Sequence, residues 1–442
     1  MDAVLLSRIQ FALTVGFHFL FPPLSIGLAW LLTMIEFRAW RKKDELYERM
    51  GRFWGKLLAI SFVLGVATGI VMEFQFGTNW SEYSKFVGDI FGAPLAAEGV
   101  FAFFLESGFL GLYLFGRNRI SKGLHWFSSL MVAVGSTLSA FWIIVANSWQ
   151  QTPAGFVLQN GRAELTDFWA AVFNPSTVVR YLHTVDAAII TGAFFMAGIS
   201  AYFLLKKRYT EEARASLRLA VIVGFIAAFL EIMPFGHEHA QQVAATQPEK
   251  FAAIEGIYTT EEGAAMVIFG IPDDQPPRLK MVFKIPGILS WLAFGDWNAP
   301  IKGINEFPED ERPPLKITFY SFHLMVALGV FFVFIMGLSV YQLYRKKLWD
   351  SPKILKTLLW SIPLPFLACQ VGWIAAEVGR QPWIVYRLLR TRDAVSVTVP
   401  AWQILVSIII FCIIYAFLFY MFIYLVKKEV NHGPVAGKEV SA

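Results

Sequence analysis

The chain has 442 residues, of which 56% are hydrophobic and only 16% are charged, and its formal net charge is +5. Soluble domains usually carry about a quarter charged residues, so this composition excludes an ordinary water-soluble protein. The basic residues stand mainly in short stretches between apolar runs, where they orient a protein in a membrane. Their charge therefore gives no indication of a nucleic-acid partner.

Nine apolar runs are long enough to cross a bilayer as helices, which takes roughly 20 residues each. They lie at about 11–35, 53–76, 94–116, 124–146, 181–205, 217–235, 316–344, 357–378 and 401–426. Only helices and closed barrels satisfy the backbone in hydrocarbon, and these continuous runs lack the alternation of barrel strands. The sequence therefore predicts an all-α integral membrane protein with about nine transmembrane helices.

The distribution of lysine and arginine predicts the orientation. The stretch after the first run, RAWRKKDELYERMGRFWGK, holds seven basic residues, and the stretches after the third, fifth and seventh runs are also basic. The intervening short stretches are poorer; one holds Lys85, and another holds Arg162 and Arg180. By the positive-inside rule the N-terminus lies outside and the C-terminus inside.

This topology divides the chain into four parts. Helices one to six occupy 1–235, an external loop occupies 236–315, helices seven to nine occupy 316–428, and a cytoplasmic tail occupies 429–442. Loops longer than about 15 residues are usually functional or disordered, so the external loop is a candidate binding element. His237 and His239 at its start, and His432 near the tail, are expected to face water.

Ionisable side chains within membrane spans are costly and usually face a cavity or a partner. Here such groups, with one methionine, come from seven helices at about one depth: His18, Glu73, Glu98, Glu106, His183, Asp186, Glu231, Met325 and Glu377. Glu98 and Glu106 are eight residues apart on one helix, about 12 Å along its axis and within about 80° around it. The pattern indicates a buried polar site.

The residues alone leave the chemistry of this site open. Histidine and methionine are haem axial ligands, but each also has a structural interpretation, as a satisfied core histidine or as a packing methionine. Glu98 and Glu106 could conduct protons or simply bond neighbouring helices. No helix carries the paired histidines of a bc-type cytochrome b, and no His-His pair of a haem–copper oxidase occurs. A haem protein and a non-redox proton-coupled transporter both remain.

Five sequence strings resemble subunit I of the cytochrome bd quinol oxidases, in order along essentially the whole chain. They are the N-terminal SRIQFALTVGFHFLFPPLSIGL, NSWQQTPAGF at 147–156, RYLHTVDAAIITGAF at 180–194, EKFAAIEGIY at 249–258 and GWIAAEVGRQPWIVY at 372–386. The resemblance implies a terminal oxidase of the bacterial cell membrane. It would oxidise quinol at the outer face and reduce dioxygen to water with protons from the inside, adding to the proton motive force without pumping.

The resemblance also implies three haems: a low-spin haem b, a high-spin haem b and a haem d. His183 and Met325 match the axial pair of the low-spin haem. His18 and Glu377 match ligands of the two high-spin haems, without assigning haem d to either. Arg380, three residues after Glu377, is expected to pair with a haem propionate or with Glu377 itself.

Four further residues receive roles from the same resemblance. Glu98 and Glu106 match acidic residues of the proton path, and Lys250 and Glu255 match quinol-binding residues of the external loop. The implied partners are a second homologous membrane subunit and a small single-span subunit, besides quinol, dioxygen and the lipid bilayer. This chain departs from many members in its short loop and in His323, which stands where they have an arginine that would stabilise the low-spin haem by its charge.

Overall fold

The computed structural model describes residues 2–274 and 277–434. Most of the predicted tail at 429–442 lies outside the described residues, as do residues 275 and 276 of the predicted loop. The described α-helices are α1 Ala3–His18, α2 Phe21–Lys42, α3 Glu45–Thr78, α4 Ser81–Ala97, α5 Phe104–Gly116, α6 Lys122–Gln151, α7 Phe168–Val172, α8 Thr177–Leu205, α9 Thr210–Leu230, α10 His237–Thr246, α11 Pro248–Glu255, α12 Ile288–Phe294, α13 Leu315–Tyr344, α14 Pro352–Trp360, α15 Leu364–Val378 and α16 Ala401–His432.

Short strands pair only as antiparallel couples within the described ranges. They are β1 Phe156–Gln159 with β2 Arg162–Leu165, β3 Glu261–Glu262 with β6 Pro300–Ile301, β4 Met266–Asp274 with β5 Pro277–Ile285, and β7 Trp383–Val385 with β8 Leu389–Arg390. The β4–β5 couple is the longest and belongs to the predicted external loop. The fold is therefore helical, with the strands confined to connections.

The prediction of about nine membrane-spanning helices is confirmed. In the described part of the chain, eight helical segments are long and apolar enough to span a bilayer. A ninth results if α14 and α15, which meet at a bend of 41°, are counted as one broken span. The inside–outside orientation stays a prediction from the charge pattern.

The first predicted span is interrupted between α1 and α2. Phe19 and Leu20 separate the two helices, and Pro22 and Pro23 stand in the first turn of α2, where proline is tolerated because its missing N–H has no partner there. His18 is consequently the last residue of α1.

Two transmembrane segments depart from α-helix partway along. Residues Glu98–Phe103, which join α4 to α5, form a π-helix, and Glu231–Gly236, which join α9 to α10, contain a kink at Met233, whose backbone is non-helical. Proline removes a backbone donor and crowds the preceding turn, and Pro94 and Pro234 lie beside or within these segments. A π-turn often occurs at a functional site, and both segments begin with a glutamate.

Helices α2 and α8 approach each other backbone to backbone. A Cβ atom on Gly27 would lie 2.2 Å from the carbonyl oxygen of Ala188, and one on Gly192 would lie 2.4 Å from the carbonyl carbon of Gly27. Small residues permit such close packing between membrane helices. His183 lies on α8, five residues before Ala188 of this contact.

Candidate functional site

A cavity of about 1560 Å³ opens among α1, α3, α6, α8, α13 and α15. Small-molecule pockets usually have about 300–1,000 Å³, so this volume suits more than one large ligand. Its walls are mostly apolar, but all nine predicted site residues line it: His18, Glu98, Glu106, His183, Lys250, Glu255, Met325, Glu377 and Arg380. The structure thus brings the nine together, while their roles stay predictions.

His18 is held by a hydroxyl on the neighbouring helix α3. Its Nδ1 lies 3.0 Å from Thr68 Oγ1, and that hydroxyl donates to the Leu64 carbonyl oxygen at 2.8 Å. Since the hydroxyl proton is used in this way, Thr68 accepts a hydrogen bond from His18 Nδ1–H. The other ring nitrogen, Nε2, is then unprotonated and able to bind iron, the arrangement usual for a metal-ligating histidine.

His183, on α8, lies among acidic and imidazole side chains. Its Nδ1 is 3.1 Å from Glu231 Oε1, and the carboxyl of Asp186 is close enough to Glu231 for the two to interact electrostatically. The ring of His239 lies 5.2 Å from that of His183, edge to face. His239 was expected to face water, and this expectation is wrong: α10 continues the membrane segment beyond residue 236, so His239 lines the cavity.

Met325 faces a glycine on the opposite helix. A Cβ atom on Gly372 would lie only 2.7 Å from Met325 Sδ, so the glycine makes room for the thioether. His323, two residues earlier, has its Nε2 3.0 Å from the Val267 carbonyl oxygen and its ring stacked on Phe319. His323 therefore joins α13 to β4.

Glu377 lies in the last turn of α15, and each of its carboxylate oxygens has a partner. Its Oε1 accepts a hydrogen bond from Asn147 Nδ2 at 3.1 Å, and its Oε2 forms a salt bridge with Arg380. Arg180 in turn donates to Asn147 Oδ1. The predicted pairing of Arg380 with Glu377 is thus present. Arg180, which the charge pattern assigned to a short loop, is instead buried in α8 and lines the cavity.

Three buried cations surround this one carboxylate. Arg180, Lys250 and Arg380 are only 7%, 5% and 5% exposed, and Lys250 Nζ donates to Gln151 Oε1 at 3.2 Å. Burial, reinforced by the charge of Arg180, lowers the pKa of Lys250 well below its usual value. The one carboxylate of Glu377 balances only one positive charge of this wall, and unbalanced buried charge is costly, so the wall suits anionic ligands. The carboxylates of haem propionates meet that requirement.

The two glutamates predicted to carry protons lie along the other side of the cavity. Glu98 Oε1 accepts a hydrogen bond of 2.6 Å from Ser139 Oγ, and Glu106 packs against Gly135, where a Cβ atom would lie 3.0 Å from Glu106 Cα. Residues Glu98–Phe103 are π-helical, so the rise and angle of a straight α-helix do not apply to this part of the segment. Both side chains nevertheless face the same cavity.

Lys250 and Glu255 lie on α11, within the segment predicted as an external loop. Both are buried, Glu255 at 6% exposure, and both face the cavity. Burial raises the pKa of the Glu255 carboxyl to about 8, so this group holds a proton at neutral pH. A quinol bound by these two residues would therefore lie within the cavity wall rather than on an open surface.

Comparisons with known proteins agree over almost the entire length. The family model for cytochrome bd terminal oxidase subunit I matches residues 6–434. The chain is 43% identical to cytochrome bd ubiquinol oxidase subunit 1 of Bacillus subtilis, over 98% of this chain and 94% of that protein. It is 37% identical to cytochrome bd-II ubiquinol oxidase subunit 1 of Escherichia coli, over 98% of both chains.

The fold gives the same result. The solved structure of bd oxidase from Geobacillus thermodenitrificans superposes with a TM-score of 0.92 at 31% identity, over 98% of this chain and 99% of that one. Agreement of this extent decides against the alternative of a non-redox transporter. The chain is a multi-pass bacterial membrane protein, and it belongs to the cytochrome bd terminal oxidase subunit I family.

Proposed function

We propose that this chain holds the haems and the quinol site of its oxidase, takes electrons from quinol at the outer face, and reduces dioxygen with protons drawn from the inside. That the enzyme is a quinol oxidase follows from family membership. The observation that supports the finer proposal is the single cavity lined by all nine predicted residues. When bound there, haem supplies electron transfer and an iron site for dioxygen.

Four of the cavity-lining side chains are suited to hold iron. His183 and Met325 would together hold the low-spin haem b. His18, through Nε2, and Glu377 would each hold one of the two high-spin haems, a haem b and the haem d. The cations Arg180 and Arg380 would neutralise propionates beside Glu377.

Protons for water would reach this site along the carboxylates. Glu106 lies deeper from the outer face than Glu98 in the predicted orientation, and Ser139 holds the Glu98 carboxylate at the cavity wall. A positioned carboxylate can accept a proton from one side and release it to the other. In this arrangement electrons enter from outside and protons from inside, so charge separates across the membrane without a pump.

The complete enzyme would contain further subunits. As a subunit I, the chain would pair with a second homologous membrane subunit, and a small single-span subunit would complete the assembly. The outward faces of several spans remain open to such neighbours or to lipid; α16, for example, exposes Ile413 at 66% and Phe417 at 59%.

The low-spin haem assignment predicts the effect of one added methyl group. Gly372→Ala would place a Cβ atom 2.7 Å from Met325 Sδ. Because the thioether is flexible, we expect it to move and the protein to stay folded. We expect a folded enzyme whose low-spin haem spectrum is altered while the high-spin haems remain. His183→Ala and Met325→Leu should remove or convert the same haem. Reduced-minus-oxidised difference spectra measure this.

Gly111→Ala is the matched control, since a Cβ atom there meets nothing within 4 Å. It should leave every band in place. The assignment is wrong if His183→Ala and Met325→Leu both retain the wild-type low-spin spectrum.

The quinol site predicts a loss that depends on the electron donor. Lys250→Ala or Glu255→Gln should lower quinol oxidation by on the order of a hundredfold, the usual contribution of a positioned acid or base. Oxidation of an artificial donor that bypasses the site should stay near the wild-type rate. Oxygen uptake with each donor gives the comparison.

Two controls sharpen this test. Lys302→Ala changes an exposed lysine in the same external segment and should preserve both rates. If Glu255 accepts the quinol proton, the quinol rate should rise as pH increases through about 8, where its carboxyl ionises, and Glu255→Gln should lack that rise. Equal loss with both donors would indicate misfolding and argue against the site.

A further inference from the structure

The β4–β5 hairpin presents large apolar side chains outward. Phe269 is 54% exposed, Met281 75% and Phe283 65%, and Phe269 and Phe283 are direct partners across the two strands. The opposite side of β4 is used differently, since Val267 is buried against the cavity. Contiguous exposed apolar surface of this kind marks a contact site.

The position of the hairpin along α13 shows at which depth of the membrane span its exposed apolar side lies. Val267, near the start of β4, is bonded to His323, eight residues or about 12 Å along α13 from its first residue, Leu315. Nearer the turn of the hairpin, Leu279 lies beside Gly256, whose missing Cβ atom would meet Leu279 and Phe319 at about 3 Å. Val267 thus lies at the level of His323 and Leu279 at the level of Phe319. These two levels are only one turn of α13 apart.

The hairpin consequently lies obliquely beside the first turns of an apolar membrane helix, rather than above it. At the same level α13 itself exposes Ile317 at 54% and Tyr320 at 45%, residues of a predicted lipid-facing span. The outward face of the hairpin therefore lies at the same depth as exposed apolar side chains of the span itself.

Backbone chemistry fixes how deep the hairpin can lie. A two-stranded sheet has open edges, and unsatisfied edges are excluded from the hydrocarbon core. Headgroups and water satisfy such edges in the interfacial layer, and the exposed Arg278, Lys280 and Lys284 of β5 suit its phosphates. The following helix α12 adds Trp291, 44% exposed and stacked on Trp297, and tryptophan is enriched at this level.

From these observations we infer that residues 266–274 and 277–297 form an interfacial membrane anchor, whose apolar face lies in the headgroup–acyl boundary of the outer leaflet. The occupant of the exposed face is lipid. This inference concerns placement in the bilayer and stands independently of the quinol chemistry proposed above.

Site-directed spin labels on the whole enzyme test the depth directly. In a Cys412→Ser background, single variants Met281→Cys and Phe283→Cys report the anchor, Glu309→Cys reports the aqueous side, and Ile413→Cys on α16 reports hydrocarbon. The labelled enzymes are placed in nanodiscs of mixed phosphatidylglycerol and phosphatidylethanolamine. Collision with oxygen, which concentrates in lipid, is compared with collision with a water-soluble nickel chelate.

We expect the oxygen-to-nickel collision ratio at 281 and 283 to exceed that at 309 severalfold and to fall below that at 413. Ratios equal to that at 309 would place the hairpin in water and overturn the inference. Low collision with both reagents would also overturn it, since a partner protein would then cover the face. An unchanged haem spectrum confirms that each variant is folded.

Discussion

His18→Ala should abolish oxygen reduction and remove at least one haem. The imidazole occupies the end of α1, where the Thr68 hydroxyl fixes Nδ1 and leaves Nε2 for iron. Alanine supplies no ligand, so the high-spin haem that we propose binds there would lose its protein ligand. Oxygen uptake with quinol gives the activity, and pyridine haemochrome analysis gives the haem content.

Two variants separate the loss of the ligand from general disturbance. His432→Ala changes an exposed histidine at the end of α16 and should leave activity and haem content unchanged. Thr68→Val retains the imidazole but removes its hydrogen-bond acceptor; we expect the haem to stay with an altered high-spin spectrum. Full oxygen reduction by His18→Ala would refute the ligand role.

Glu106→Gln should preserve the haems and slow turnover by on the order of a hundredfold. The amide keeps the shape and hydrogen bonding of the buried side chain beside Gly135 but cannot carry a proton. Proton uptake from the inside, followed by a pH indicator trapped in proteoliposomes, should slow together with oxygen consumption.

Glu106→Asp provides the matched comparison, because it shortens the side chain but retains a titratable carboxyl. It should keep more activity than Glu106→Gln. Unchanged turnover in Glu106→Gln, with all haems present, would exclude an obligatory proton role and favour a purely structural hydrogen bond between helices.

Hydropathy predicted the membrane spans well because each is a long continuous apolar run. It did not predict the interruption at Phe19 and Leu20, although Pro22 and Pro23 are a signal for a new helix start. The π-helical segment beginning at Glu98 and the kink at Met233 were also missed, since a local change of the backbone barely alters a hydropathy profile. Pro94 and Pro234 are the local features that could have indicated them.

Six of the nine site residues were located by their position inside apolar runs, and Lys250, Glu255 and Arg380 by the motif resemblance; all nine line one cavity. Arg180 and His239 were missed for one reason: each is polar and stands at the edge of an apolar run, where composition suggests a loop. Burial depends on tertiary contacts, such as that of Arg180 with Asn147. The β4–β5 hairpin was likewise hidden inside a segment treated as one loop, although MVIF and MVFKI are strand-like.

The central claim is that this cavity holds haem, and the haem content of the purified chain with its partner subunits tests it most directly. Pyridine haemochrome analysis, with reduced-minus-oxidised spectra, should give three haems per chain, two of type b and one of type d. Folded, membrane-inserted protein from haem-replete cells that shows no haem absorption would contradict the account.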